Sequence, residues 1–307
     1  MKHAARSFLK KRAFTLIEIM VATVIMIIMV GLVIQITSQV LNVWNRSADK
    51  LSSNADARIA MELLTSDLET AVFRNNGLQW MEVVQEQVPN PLGGPEFQTT
   101  RLLLFAPALD RPQEDAAGND VPGDICAISY QLVYQDPVDG EDTEDNLFAL
   151  HRRLIDPKTT FEVLLGEGNQ ETFDLWIGED TVTSSIQRNT NGDDYPATQN
   201  EENYLSSNVV DFRVTFYYIN DLGDEEVFDT ETEPLRYGGT NATIGPGSSI
   251  RQPLAYADIS LQVISKEAMQ LLRTDNIAQS GFADAESFVA ANSEFYKRRI
   301  YFPARPL

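Results

Sequence analysis

Histidine and cysteine, on which many metal and nucleophilic sites depend, are scarce in this 307-residue chain, and their scarcity excludes much. There are two histidines, His3 and His151, and one cysteine, Cys126. A zinc site built from His and Cys is next to excluded, because both types are too rare to supply the ligands. A Ser-His-Asp or Cys-His set would have to use His151, since His3 lies in a basic N-terminal stretch. His151 falls among strand-forming residues beside Arg152 and Arg153, where a histidine holding a structural hydrogen bond is expected. No Gly-rich phosphate loop and no G-x-S-x-G elbow occurs. Cys126 sits in an apolar run and reads as a small buried side chain; as a single cysteine it allows no intramolecular disulfide.

Two acidic loops have the composition of a calcium site. Residues 136–145 hold Asp136, Asp139, Glu141, Asp142, Glu144 and Asp145, and Asn191-Gly192-Asp193-Asp194 is the second candidate. With Gly140 at the sixth position of an EF-hand loop, Gln135 and Pro137 fall where ligands belong. Charge runs of this kind are usually solvated surface, so the expectation is no cofactor, with calcium at these loops as the one exception.

Glu18 carries more information. From residue 14 to 34 it is the single charge, and Thr15 and Thr23 are the only hydroxyl residues. Twenty-one residues at a rise of about 1.5 Å make a helix of about 30 Å, the thickness of a bilayer's hydrocarbon core. The preceding Lys2, Arg6, Lys10, Lys11 and Arg12 should stay cytoplasmic and send the C-terminal body across the membrane. An ordinary secretory signal places its small-residue cleavage site after the apolar run. Here the chain continues as Gln35-Ile36-Thr37-Ser38, and the small residue, Ala13, comes before the apolar run instead. A carboxylate within such a span is costly, so Glu18 marks a function.

Ala13-Phe14-Thr15-Leu16-Ile17-Glu18, behind a basic leader and ahead of an apolar span, resembles the processing site of type IV prepilins and pseudopilins. The resemblance implies cleavage between Ala13 and Phe14 by a prepilin peptidase and methylation of the new N-terminal Phe14. It also implies that Glu18 pairs with the terminal amine of a neighbouring subunit during assembly. A charge in lipid is tolerable when a partner neutralises it. Ala13 stands where that family usually has glycine.

The elements that would position these residues follow from periodicity. Ile36, Val40, Val43, Trp44, Leu51, Ala55, Ile59, Leu63, Leu64, Leu68 and Val72 recur at mostly three- and four-residue steps. No proline precedes Pro89, and Asn75-Asn76-Gly77 is a stop signal. One helix over 14–74 is predicted, its first half for membrane or filament core and its second half for carrying a body. After Gly77, strands are predicted at 101–105, 125–134, 148–155, 172–177, 209–219 and 257–264, and short helices at 266–274 and 283–291. Connections too short and polar for crossover helices argue for antiparallel pairing. The expected class is α+β: a leader over 1–13, a transmembrane and amphipathic helix over 14–76, and one β-rich body over 77–307.

Ser66-Asp67-Leu68-Glu69-Thr70-Ala71, residues 149–154, residues 209–214 and residues 259–264 are similar to the J-type minor pseudopilin of type II secretion and its type IV pilus counterpart. This implies a structural subunit at or near the tip of a short periplasmic filament, rooted in the bacterial inner membrane, with other pilins or pseudopilins as partners. The same N-terminus would serve an adhesive or priming minor pilin of a surface pilus. It would equally serve an anchored enzyme or ligand-binding domain with a borrowed leader, against which stands the scarcity of His and Cys. No catalysis is expected.

The overall balance is 24 basic against 45 acidic residues, a net −21. Beyond the leader the remainder has 19 basic residues against the same 45 acidic ones. Such a field repels phosphate backbones, so nucleic acid is not expected as a partner.

Overall fold

A computed structural model of the chain describes residues 15–74, 78–91, 96–108, 125–135, 146–155, 157–165, 204–220, 222–228, 235–238, 254–274, 277 and 281–302. The architecture is α+β, with one long N-terminal helix and two antiparallel sheets. Contacts divide the chain into two units, residues 1–48 and residues 49–307.

Helix α1 spans Leu16–Glu69. Residues 16–34 of it are apolar on every side but for Glu18 and Thr23, and its large apolar side chains from Leu16 to Trp44 are 47–76% exposed. Its part within the second unit is amphipathic. Ala57, Ala60, Met61, Leu64 and Leu68, at the three- and four-residue steps of one helical face, are buried. The helix stops short of the predicted Arg74. Beyond Thr70 the backbone is drawn to the sheet instead: the Val72 N–H bonds the Phe105 carbonyl at 2.8 Å, and the Phe73 ring meets Tyr237 and Phe302 edge-on.

Among the described residues the second unit has ten strands: β1 (Gln79–Val88), β2 (Phe97–Ala106), β3 (Cys126–Gln135), β4 (Leu147–Ile155), β5 (Tyr204–Ser207), β6 (Val209–Ile219), β7 (Glu225–Val227), β8 (Leu235–Gly238), β9 (Leu254–Ile264) and β10 (Ser293–Tyr301). The first sheet runs β5-β4-β3-β2-β1-β8 and the second β10-β9-β6-β7. The predicted segment 172–177 lies outside the described residues. Two short helices, α2 (Lys266–Arg273) and α3 (Ala285–Asn292), lie between β9 and β10. Ser265 caps the first by accepting from the Ala268 N–H at 3.2 Å, and Asp284 caps the second by accepting from the Ser287 N–H at 2.7 Å.

Alternation along each strand sorts the side chains into two layers. Met81, Val83, Leu102, Leu104, Ile128, Phe148 and Leu150 of the first sheet share one core with α1 and with Phe212, Val214, Ile259, Leu261 and Val263 of the second. Trp80, Leu103, Phe105, Ala127, Ile155 and Leu164 form a second cluster on the opposite face of the first sheet. Cys126 is buried in the main core, as its apolar surroundings predict.

Between β5 and β6 the chain passes from the first sheet to the second through a single residue. Asn208, buried between β5 and β6, takes φ 60, a left-handed conformation that asparagine tolerates better than most residues. Its N–H bonds the Phe148 carbonyl of β4 at 2.8 Å, and its carbonyl accepts from the Ile264 N–H of β9 at 2.9 Å. One residue thereby hydrogen-bonds both sheets.

Candidate functional site

The two units contain different kinds of site. In the first, Thr15 and Glu18 close the N-terminal end of α1 on each other. The Glu18 Oε2 accepts from the Thr15 backbone N–H at 2.8 Å and from its hydroxyl at 2.9 Å, while the Glu18 N–H reaches the Thr15 Oγ1 at 3.3 Å. This is a reciprocal capping box, in which side chains satisfy donors that a helix start leaves unpaired. The signal, Thr-x-x-Glu ahead of an apolar run, is present in the sequence, and the sequence reading passed over it in favour of the carboxylate's assembly role. Oε1 of Glu18 makes no hydrogen bond among the described residues, so one oxygen remains available to a partner. Ala13 and Phe14, the two positions expected to be processed, lie outside the described residues.

From Leu16 to Asn45 there is no charge besides Glu18, and the helix is long and apolar enough to cross a membrane. An apolar surface of that extent, exposed on all sides, calls for lipid or protein around it.

In the second unit, the helix and the first sheet are joined by a buried charge cluster. Asp67 of α1 accepts from the Arg152 Nε at 2.7 Å, from the Arg152 Nη2 at 3.1 Å and from the Tyr130 hydroxyl at 2.5 Å. The Arg152 Nε also lies 3.0 Å from the Tyr130 oxygen. Tyr130 and Arg152 are register partners on β3 and β4, so one sheet face presents both to the helix. All three side chains are buried. Burial first, and then the Asp67 charge, push the Tyr130 hydroxyl well above the ordinary phenol value. The fork geometry of arginine suits this two-oxygen grip. Asp67 and Arg152 belong to two of the segments that carry the pseudopilin likeness, 66–71 and 149–154. Nothing in the one-dimensional pattern reveals that they meet, because their link spans 85 positions.

His151 and Arg153 alternate with Arg152 and therefore lie on the opposite face of β4. His151 is 1% exposed, yet among the described residues neither ring nitrogen has a hydrogen-bond partner. The expected structural hydrogen bond is not made among the described residues. Instead, the ring meets Tyr204 edge-on with centroids 5.9 Å apart. Burial, assisted by the Arg153 charge, lowers its pKa to about 4, so the imidazole is neutral near pH 7. Burial also lowers Arg153 to about 10. No nucleophile, base and orienting acid converge on this ring in the described residues.

Further along the same face, Glu82 pairs with Arg236 at 2.5 Å, and Arg101 pairs with Glu86 at 2.6 Å. Among the described residues no group of three or more His, Cys, Asp or Glu side chains is placed to hold a metal ion. Both candidate calcium loops, 136–145 and 191–194, lie outside the described residues. Compared with known protein families, curated proteins and solved structures, the chain matches none of them.

Proposed function

We propose that this chain is a type IV pilin-like subunit: a minor pseudopilin at or near the tip of a periplasmic type II secretion filament. The observation that carries this reading is Glu18, the lone charge at the start of an exposed apolar helix directly behind a basic leader. A prepilin peptidase cuts between Ala13 and Phe14, and the new N-terminus is methylated. The helix is then held in the inner membrane until neighbouring subunits replace lipid around it. Apolar packing against other helices accounts for its exposed surface, and the amine of a neighbouring Phe14 accounts for the carboxylate. The body, with ten described strands, is bulky for a repeating unit. A cap needs only one interface, to the filament below, so it tolerates that bulk. The protein works by helix insertion and subunit contacts, with no catalytic step and no nucleic-acid partner.

The capping box supplies the control for the test. Glu18→Ala removes both the cap and the intersubunit carboxylate, whereas Thr15→Val removes the hydroxyl of the box and keeps the carboxylate. Cleavage and recovery of each variant in sheared or cross-linked filaments are the readouts. Both variants should be cleaved; Thr15→Val should enter filaments and Glu18→Ala should not. Equal loss in both would assign Glu18 to helix capping alone, and normal incorporation of Glu18→Ala would end the intersubunit role.

A further inference from the structure

The last strand, β10, is the edge of the second sheet and pairs with β9 alone, in an unbroken register from Ser293↔Ile264 to Tyr301↔Tyr256. Among the described residues no strand lies on its other side. It is nine residues long, with no proline and no bulge. Soluble proteins usually blunt an edge of this length with a bulge, a proline or a cover. Among the described residues its only such device is charge: Glu294 lies near its start, and Lys297, Arg298 and Arg299 are consecutive in a chain of net −21.

The three cations differ in their partners: Lys297 lies 6.0 Å over the Phe295 ring. Arg299 is held by Asp258 at 2.6 and 2.7 Å and lies 3.9 Å over the Tyr256 ring. Lys297 and Arg298 are exposed and have no acidic partner among the described residues. Large rings share the face of Lys297 and Arg299, while Arg298 lies on the other face of the strand. Phe295 is 57% and Tyr301 71% exposed, and on the same face Tyr301, Tyr256 and Tyr217 form a row, with centroids 5.8 and 4.4 Å apart. Tyrosine and arginine on an exposed face are the residue types that dominate binding energy at protein interfaces.

We propose that β10 is a docking edge for an acidic, extended segment of a different protein, which adds to the sheet as a fifth strand. Backbone ladder bonds would supply affinity, and the Lys297–Arg298 pair would select acidic side chains on the incoming strand. A second copy of this chain fits poorly where two β10 edges pair antiparallel about Lys297 or Arg298, because that cation then faces its own copy. The inference is independent of the filament reading, since it uses only the second unit.

The probe is a labelled peptide of about ten residues in which pairs of glutamates alternate with pairs of valines, so that acidic side chains fall on both faces of the added strand. It is titrated against the full chain in detergent by fluorescence anisotropy, with hydrogen exchange of residues 293–301 read in parallel. The peptide should bind more weakly as salt rises and should slow exchange across 293–301. The pair Lys297→Glu and Arg298→Glu should weaken binding by tenfold or more, to order of magnitude, with the unfolding temperature unchanged. The lysine counterpart should not bind. Equal binding of an acidic peptide interrupted by prolines would overturn strand addition, as would binding without protection of 293–301. Sedimentation showing self-association, with protection of 293–301 in the absence of peptide, would put a second copy on the edge and overturn the proposed partner.

Discussion

Helix α1 is one continuous element, yet its two parts differ in what they bury. Residues 16–48 bury none of their large apolar side chains, whereas residues 49–69 bury Ala57, Ala60, Met61, Leu64 and Leu68 in the main core. The charges follow the same division. Glu18, in the exposed part, bonds only its own helix end through Thr15, and Asp67, in the buried part, is gripped by Arg152 and Tyr130 of the sheet. Helicity therefore says nothing about what a helix is for; the partners of Glu18 and of Asp67 do. In the second part that partner is within the chain. In the first part the proposal places it on another subunit.

The largest effect should come from breaking the buried grip. Arg152→Met leaves Asp67 charged, buried and unpaired, at a cost of about 3–5 kcal/mol of body stability. The triple variant Asp67→Leu, Tyr130→Phe and Arg152→Met removes every polar member and should regain most of that loss. Denaturant unfolding followed by tryptophan fluorescence measures both. If the triple variant were no better than the single one, shape rather than charge pairing would be what the cluster supplies.

Apolar truncation sharpens the same contrast. Leu64 is fully buried, so Leu64→Ala should cost about 2–5 kcal/mol in the same unfolding experiment. Leu32 is half exposed, and Leu32→Ala should move the body's unfolding by no more than about 0.5 kcal/mol. Comparable losses from the two would mean that residues 16–48 share the body's core, contrary to the division drawn above.

A smaller, graded effect belongs to pH and to the body alone. His151 has a folded pKa of about 4 against an ordinary 6.5, so between those values the unfolded chain takes up a proton that the folded one refuses. Its contribution is complete above about pH 6.5 and is lost as pH falls towards 4, on the order of 3 kcal/mol in all. His151→Phe should flatten the slope of stability against pH in that window. An unchanged slope would assign it to the carboxylates instead.

What the sequence disclosed depended on whether a segment's partners were local. The core face of β6 is legible because Val210, Phe212, Val214 and Phe216 alternate with more polar or half-exposed neighbours. The two late helices are legible because each has its own N-cap, in Ser265 and Asp284. Strand β1 was missed because Glu82, Gln85, Glu86 and Gln87 look like loop residues. Glu82 is in fact buried, paired across β8 with Arg236, which lies 154 positions away. Strand β10 was missed for a related reason: its cations obscure the alternation, and its pairing with β9 is specified by the partner. The predicted helix ran past Glu69 because Val72 continues the apolar period. The bond from Val72 to Phe105 ends the helix, and it exists only once the sheet has formed. At the N-terminus the apolar span and Glu18 were legible from composition alone, and the capping box needed only the spacing of Thr15 and Glu18. The Asp67–Tyr130–Arg152 cluster could be found only in three dimensions.

The most direct test of the central claim is intact-mass analysis and N-terminal sequencing of the protein recovered from its native membrane. The account predicts a mature chain that begins at an N-methylated Phe14 and keeps the whole of α1. A chain that retains Met1 through Ala13, or one cut beyond Ile34, would contradict the filament reading and leave an anchored or secreted body with another task.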